Sequence, residues 1–140
     1  MKRLVFLIPL LMAFTPAENP PHVTAYLKSI ELDVQFISDL YGIPKQLIYA
    51  QSAQETGFGT STICQERCNF FGVKDGEDFK YYDSKVESFI DYAKILNSGK
   101  CYQNLQPKSV EEWLGALECC HYASDENYTK SLSIIIQKYL

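Results

Sequence analysis

Glu55 is the carboxylate whose setting in the sequence is best suited to chemistry. It lies in residues 43–59, I-P-K-Q-L-I-Y-A-Q-S-A-Q-E-T-G-F-G. Pro44 suits the first helical position, where a missing N–H costs nothing. Leu47, Ile48, Ala50 and Ala53 give the helix a narrow apolar side, and Gly57 tolerates the left-handed conformation that ends helices. Glu55 is thereby expected in the last turn, where the partial negative charge of the helix end disfavours a second negative charge. A carboxyl placed there and buried is pushed toward its protonated form, which is what a general acid requires. The stretch by itself is better described by a surface Glu before a glycine stop.

The other acidic groups with chemical potential cluster further on. Glu77 follows Asp75-Gly76, a dipeptide that marks a hairpin turn between two aromatic-rich runs. Asp75 is claimed by that turn, and Glu87 by the capping-box pattern Ser84-Lys85-Val86-Glu87. Cys64 and Cys68 have metal-like spacing, but the chain holds only 2 histidines and neither is near them, so no metal and no cofactor are expected.

The elements that must position these residues are mostly helical. Apolar residues at 23, 27, 30, 34, 37 and 41 predict a helix, in one piece or two, that stops at Gly42 and covers the Glu55 helix. Residues 63–67 read as a short helix or irregular chain. Val86, Phe89, Ile90, Ala93 and Leu96 predict a helix running to Gly99. A second capping box, Ser109 to Glu112, opens a helix carrying Trp113, Leu114, Leu117 and Cys120. Ser124-Asp125 is expected to open the last helix, with Asp125 as its N-cap. The fold class is mainly α (α+β): a helical domain with one small β-hairpin lobe.

Bulk properties narrow the partners. Lys2-Arg3, the apolar residues 4–14 and the small residues Thr15 and Ala17 form a secretory signal pattern too short to span a bilayer. The expected organisation is a signal over residues 1–17 and one domain over residues 18–140, exported to the periplasm or beyond, without a membrane anchor. Removing Lys2 and Arg3 from the 13 basic residues leaves 11 against 17 acidic ones, a net charge near −6. A nucleic-acid partner calls for the opposite balance, whereas a neutral glycan suits both the charge and the 14% aromatic content. Export permits disulfides; the 5 cysteines allow at most two, with the pairing open.

The order of the pieces carries more than any one of them. A-Q-S-A-Q-E-T-G-F-G is followed by N-F-F-G-V-K, then F-K-Y-Y-D-S-K-V-E-S-F-I-D-Y-A, then Y-A-S-D-E-N-Y. The series resembles the N-acetylglucosaminidases of glycoside hydrolase family 73, whose usual motifs are A-Q-x-x-L-E-[ST]-G-W-G, N-x-F-G-[IL]-K, Y-x-S-x-x-[ED]-[SA] and Y-A-T-D-x-x-Y. The likeness runs from about Tyr41 to Leu140. Gln54, Phe58 and Cys68 depart from the pattern, and the segment between the second and third motifs is short.

The resemblance implies a lysozyme-like fold with the substrate groove between the helices and the hairpin. Glu55 matches the family's general acid, Glu77 falls where its mobile second glutamate would stand, with Asp78 a weaker substitute, and Tyr122 matches the tyrosine placed near the reacting sugar. The matching motifs also bring Asn69 forward as a substrate contact. Phe58, Phe71 and Tyr82 either stack against sugars or build the core. The implied activity is an endo-β-N-acetylglucosaminidase cutting peptidoglycan after N-acetylglucosamine, as a monomer. Rival readings are a muramidase or lytic transglycosylase, an endoglycosidase for glycoprotein chitobiose cores, and a non-catalytic glycan-binding module.

Overall fold

The computed structural model describes residues 17–105 and 108–140; of the export signal expected over residues 1–17, all but the last residue lies outside them. Among the described residues, six α-helices and one hairpin follow in order: α1 Pro21–Tyr41, α2 Lys45–Thr56, α3 Thr62–Arg67, β1 Lys74–Asp75, β2 Asp78–Phe79, α4 Lys85–Ser98, α5 Val110–Cys119 and α6 Tyr128–Tyr139. A 3₁₀ turn, Lys100–Tyr102, links α4 toward α5.

The first helix forms in one piece, with Val23, Tyr26, Ile30, Val34 and Ile37 buried at helical spacing. Gly42 ends it in the left-handed conformation at φ 68°. Pro44 caps α2 rather than occupying its first turn, a shift of one residue at a boundary where the chain is extended in either description.

The second helix is the centre of the molecule, packed against α1, α5 and α6. Leu47, Ile48, Ala50 and Ala53 are buried as expected, but so are Gln51, Ser52 and Thr56. A helix buried nearly all round is normally apolar, so each of these polar groups needs an internal partner. Ser52 finds the Tyr26 hydroxyl, and Thr56 Oγ1 donates to the Ser52 carbonyl at 2.6 Å. Burial without a nearby base raises the Tyr26 phenol to about 12, keeping it a neutral hydroxyl. Gly59 closes over this ring: at φ +80°, a Cβ there would come within 2.6 Å of Tyr26.

Two boundaries differ from expectation. Asp75 pairs with Asp78 across the hairpin, so the turn residues are Gly76 and Glu77, not Asp75-Gly76. Gly76 alone supplies the positive φ, at 66°, and Asp75 is a strand residue. The last helix starts at Tyr128, and its N-cap is Asn127 without a side-chain bond. Asp125 is not that cap: its Oδ1 accepts the Asn127 N–H at 2.9 Å, a local turn that uses the oxygen before the helix begins.

The Ser109 box is complete, with both reciprocal bonds formed. Ser84 caps α4 by accepting the Glu87 N–H, while the Glu87 carboxylate accepts from Asp83 N–H instead of closing the box. Cys101 and Cys120 form a disulfide that ties the 3₁₀ turn to the end of α5; Cys64, Cys68 and Cys119 are free. No helix among the described residues is long and apolar enough to cross a membrane.

Candidate active site

Glu55 stands half-buried in the last turn of α2, where Gly57 ends the helix at φ 56°. Burial raises its carboxyl above the ordinary range, and a hydrogen bond from Tyr128 opposes that rise in part. The Tyr128 hydroxyl donates to Glu55 Oε1 at 2.9 Å. Gly72, at φ +64°, passes the other oxygen so closely that a Cβ there would sit 2.9 Å from Glu55 Oε2. The N-F-F-G-V-K segment therefore contributes its glycine to the site, because only a residue without a side chain fits both the backbone conformation and the space.

Two tyrosines flank the carboxyl. Tyr122 and Tyr128 approach with ring centroids 5.6 Å apart and planes tilted by 35°. Burial, then the nearby Glu55 charge, pushes both phenols well above their ordinary range, so both act as neutral hydroxyls. Tyr122 comes from the irregular link between α5 and α6, held by its N–H to the Leu117 carbonyl at 3.0 Å. Tyr128 opens α6 and is 7% exposed.

Behind them lies a residue to which the sequence reading gave no role. Gln51, one turn before Glu55 on α2 and fully buried, accepts a hydrogen bond from the Tyr92 hydroxyl at 2.6 Å. Its amide nitrogen donates to the Tyr128 hydroxyl at 3.2 Å. Its place at i−4 from Glu55 puts it on the same helical face, but its partners Tyr92 and Tyr128 are distant in the sequence.

The remaining expected site residues take other places. Glu77 sits exposed in the hairpin turn. Asp78 bonds Arg67 at 2.9 Å, and the Phe79 N–H followed by Arg67 holds its carboxyl below the usual range. Asn69 is fully buried; its amide donates to the Val73 and Lys80 carbonyls at 2.8 and 3.0 Å, and its oxygen accepts from Val73 N–H. It shapes the base of the hairpin. Phe71 stacks on Tyr92 at 3.8 Å and 9°, inside the core. Tyr82, 7% exposed, donates its hydroxyl to Asp91 at 2.7 Å. Phe58, in the left-handed conformation, packs edge-on against Tyr139 at 5.1 Å and against Tyr26 and His22. Of the sugar-stacking and core roles open to these rings, Phe71 and Tyr82 are placed in the core one, because an aromatic side chain gains most from burying its whole area.

A cavity of about 710 Å³ opens against the α5–α6 link, lined by Tyr128 together with Glu118, His121, Ser124, Asp125 and Thr129 among others. Its size lies in the usual range for small-ligand sites. Tyr128, which bonds Glu55, links that carboxyl to it; Glu55 itself is not among the residues that line the cavity. A smaller one, about 380 Å³, lies between the hairpin strand end and α4, beside Lys80, Tyr82 and Asp91.

A helical domain with a half-buried carboxyl at the end of its central helix and a small hairpin defines the class: a lysozyme-like glycoside hydrolase domain. The chain belongs to the glucosaminidase family, described as mannosyl-glycoprotein endo-beta-N-acetylglucosaminidase, whose model matches residues 33–140. It is 30% identical to the peptidoglycan hydrolase FlgJ of Escherichia coli, over 85% of this chain and 47% of that protein. It is 23% identical to the exo-glucosaminidase LytG of Bacillus subtilis, over 81% of this chain and 50% of that protein. The chain spans about half the length of these curated relatives. Among solved structures, the glycoside hydrolase domain of Salmonella typhimurium FlgJ superposes with a TM-score of 0.71 at 28% identity, covering 82% of this chain and 86% of that one. The catalytic domain of the Listeria monocytogenes autolysin Auto superposes at 0.73 with 22% identity, over 88% and 87%, and supports the fold.

Proposed function

We propose that this domain is an exported endo-β-N-acetylglucosaminidase that hydrolyses the β-1,4 bond after N-acetylglucosamine in peptidoglycan, acting as a monomer. The observation that carries the reading is Glu55: a carboxyl raised by burial, steadied on one oxygen by Tyr128, at the end of the central helix of a glucosaminidase domain. Relatives named for peptidoglycan hydrolysis favour that polymer over glycoprotein cores.

In this mechanism the protonated Glu55 gives its proton to the leaving glycosidic oxygen as positive charge develops on the sugar ring. The Tyr122 hydroxyl, neutral and beside Glu55, hydrogen-bonds the N-acetyl group or the attacking water. Glu77 serves as the base that activates water, carried on the hairpin toward the sugar face opposite the acid. Inverting chemistry sets the two carboxyls roughly 6.5–9.5 Å apart when substrate is bound. Phe58 and Asn69 act in substrate binding through the walls they shape, and Phe71 and Tyr82 support those walls from the core.

Purified peptidoglycan digested with residues 18–140, reduced with borohydride and analysed by mass spectrometry, tests the bond cut. Reduced N-acetylglucosamine ends are expected. Reduced N-acetylmuramic acid ends would make the domain a muramidase, anhydro ends a transglycosylase, and binding without fragments a glycan-binding module.

A further inference from the structure

The chain Tyr92–Gln51–Tyr128–Glu55 has a direction, and its distances show which. A hydroxyl-to-carbonyl bond is normally 2.5–3.0 Å between heavy atoms and an amide N–H to oxygen bond about 2.7–3.2 Å. The contact of Gln51 with Tyr92 is 2.6 Å and that with Tyr128 is 3.2 Å. The short contact fits a carbonyl accepting from Tyr92, and the long one fits an amide donating to Tyr128. Reversing the amide would place nitrogen at the distance too short for it and oxygen at the distance too long.

That polarity propagates. A tyrosine hydroxyl has one proton. With the Gln51 N–H already directed at its oxygen, Tyr128 spends that proton on Glu55 Oε1 at 2.9 Å. An oxygen that accepts in this way is not the one that carries the acid proton. We propose that Gln51, oriented by Tyr92 and acting through Tyr128, keeps the proton of Glu55 on Oε2, the oxygen beside Gly72, so that it is aimed away from the protein's own hydroxyls. In the opposite polarity Glu55 would donate into Tyr128, and no proton would face a leaving group. Gln51, Tyr92 and Tyr128 are positioning residues in this account. The inference rests on Glu55 being the general acid.

The arrangement makes an unusual combination of signs. Without the Gln51 N–H, the Tyr128 oxygen is free to accept, and protonated Glu55 gains a partner for a proton on Oε1. The carboxyl then holds its proton more firmly, yet in the wrong direction. Loss of the Tyr128 hydroxyl likewise removes a bond that favours the ionised form.

The test is a kcat and KM comparison across pH, on soluble peptidoglycan fragments, for the wild-type chain, Gln51→Met, Tyr128→Phe and Glu55→Gln. For both positioning variants kcat falls about tenfold or more, the scale of one charge-assisted hydrogen bond, with KM within about twofold. Their alkaline limb moves up by about one pH unit. Slower turnover with a limb that stays put or moves down would show Gln51 and Tyr128 to be structural supports only and would overturn the proposal. Wild-type kcat in both variants, with Glu55→Gln inactive, would overturn it while leaving the acid assignment standing. An active Glu55→Gln enzyme would instead remove the acid reading on which it rests. Tyr128→Phe, which loses a single oxygen, keeps the comparison decisive should Gln51→Met not fold.

Discussion

Gly72→Ala separates the site's geometry from ordinary backbone strain. The residue has φ +64°, and its added Cβ would lie 2.9 Å from Glu55 Oε2 and 3.6 Å from the carboxyl carbon. Left-handed backbone costs an L-residue roughly 1–2 kcal/mol, which for a domain of this size is a Tm loss of about 4–8 °C. Restoring ordinary contact moves the carboxyl by about 0.5 Å, taking van der Waals separation near 3.4 Å as the reference. The carboxyl end is flexible, so that movement adds little to the stability loss. Its effect falls on catalysis, where a misplacement of about 1 Å costs on the order of 100-fold; a 10- to 100-fold fall in kcat/KM is therefore expected, by roughly that scaling. Gly42→Ala is the control, since Gly42 has φ 68° but caps α1. It lies before α2, opposite the end that holds Glu55, about 15 Å away along the helix. Thermal melting and turnover of fluorescently labelled peptidoglycan are measured on both variants. Equal Tm losses with a selective activity loss in Gly72→Ala are expected. Equal activity losses in the two, or full activity in Gly72→Ala, would refute the placement of Oε2.

Other consequences follow from the same geometry. Because burial raises the Glu55 pKa in the folded state, its favourable contribution is complete below the unfolded value, about 4.3, and is lost as pH rises through the folded value. Glu55→Gln is accordingly expected to gain Tm relative to wild type between pH 4 and pH 7, and a pH-independent difference would contradict the burial argument. The Cys101–Cys120 bond closes a loop with sequence separation 19, worth about 3 kcal/mol by chain entropy; reduction should lower Tm by on the order of 10–20 °C, whereas an unchanged melt would show the bond to be dispensable. Glu77→Gln should lower turnover, with partial restoration by azide standing in for the base; loss without any rescue would argue for a route assisted by the substrate's own N-acetyl group.

The parts of the fold legible in the sequence are those whose signals are local. The α1 stripe from Val23 to Ile37, the serine caps before α4 and α5, and the glycine stop after Glu55 are all local signals, and all three placed their elements. The hairpin was legible but its turn was displaced by one residue, because Asp-Gly can end a strand as readily as it can form the turn centre. At α6 the Asp125 oxygen is taken by Asn127 N–H, so a residue type that usually caps helices precedes one without capping it. The half-buried carboxyl proposed as the acid stood out because a carboxylate at a helix C-terminus runs against the dipole. Its support did not: Gln51 meets Tyr92 and Tyr128 across 41 and 77 residues of sequence, and no spacing rule reaches that far. The same holds for the disulfide, where Cys120 and not its neighbour Cys119 is bonded, a choice made by which side of the α5 end faces the 3₁₀ turn. Phe71 and Tyr82 show the converse limit. Their motif matches drew attention, but aromatic rings build cores as readily as they meet sugars, and only burial distinguishes the two.

The central claim is that Glu55 supplies the proton, and turnover of Glu55→Gln on purified peptidoglycan tests it most directly, with a wild-type-like circular dichroism spectrum as the control for folding. A general acid contributes roughly 10²- to 10⁴-fold, so release of new reducing ends should fall by at least about 100-fold while the fold is retained. A folded Glu55→Gln chain that cleaves within a few-fold of wild type would contradict the account.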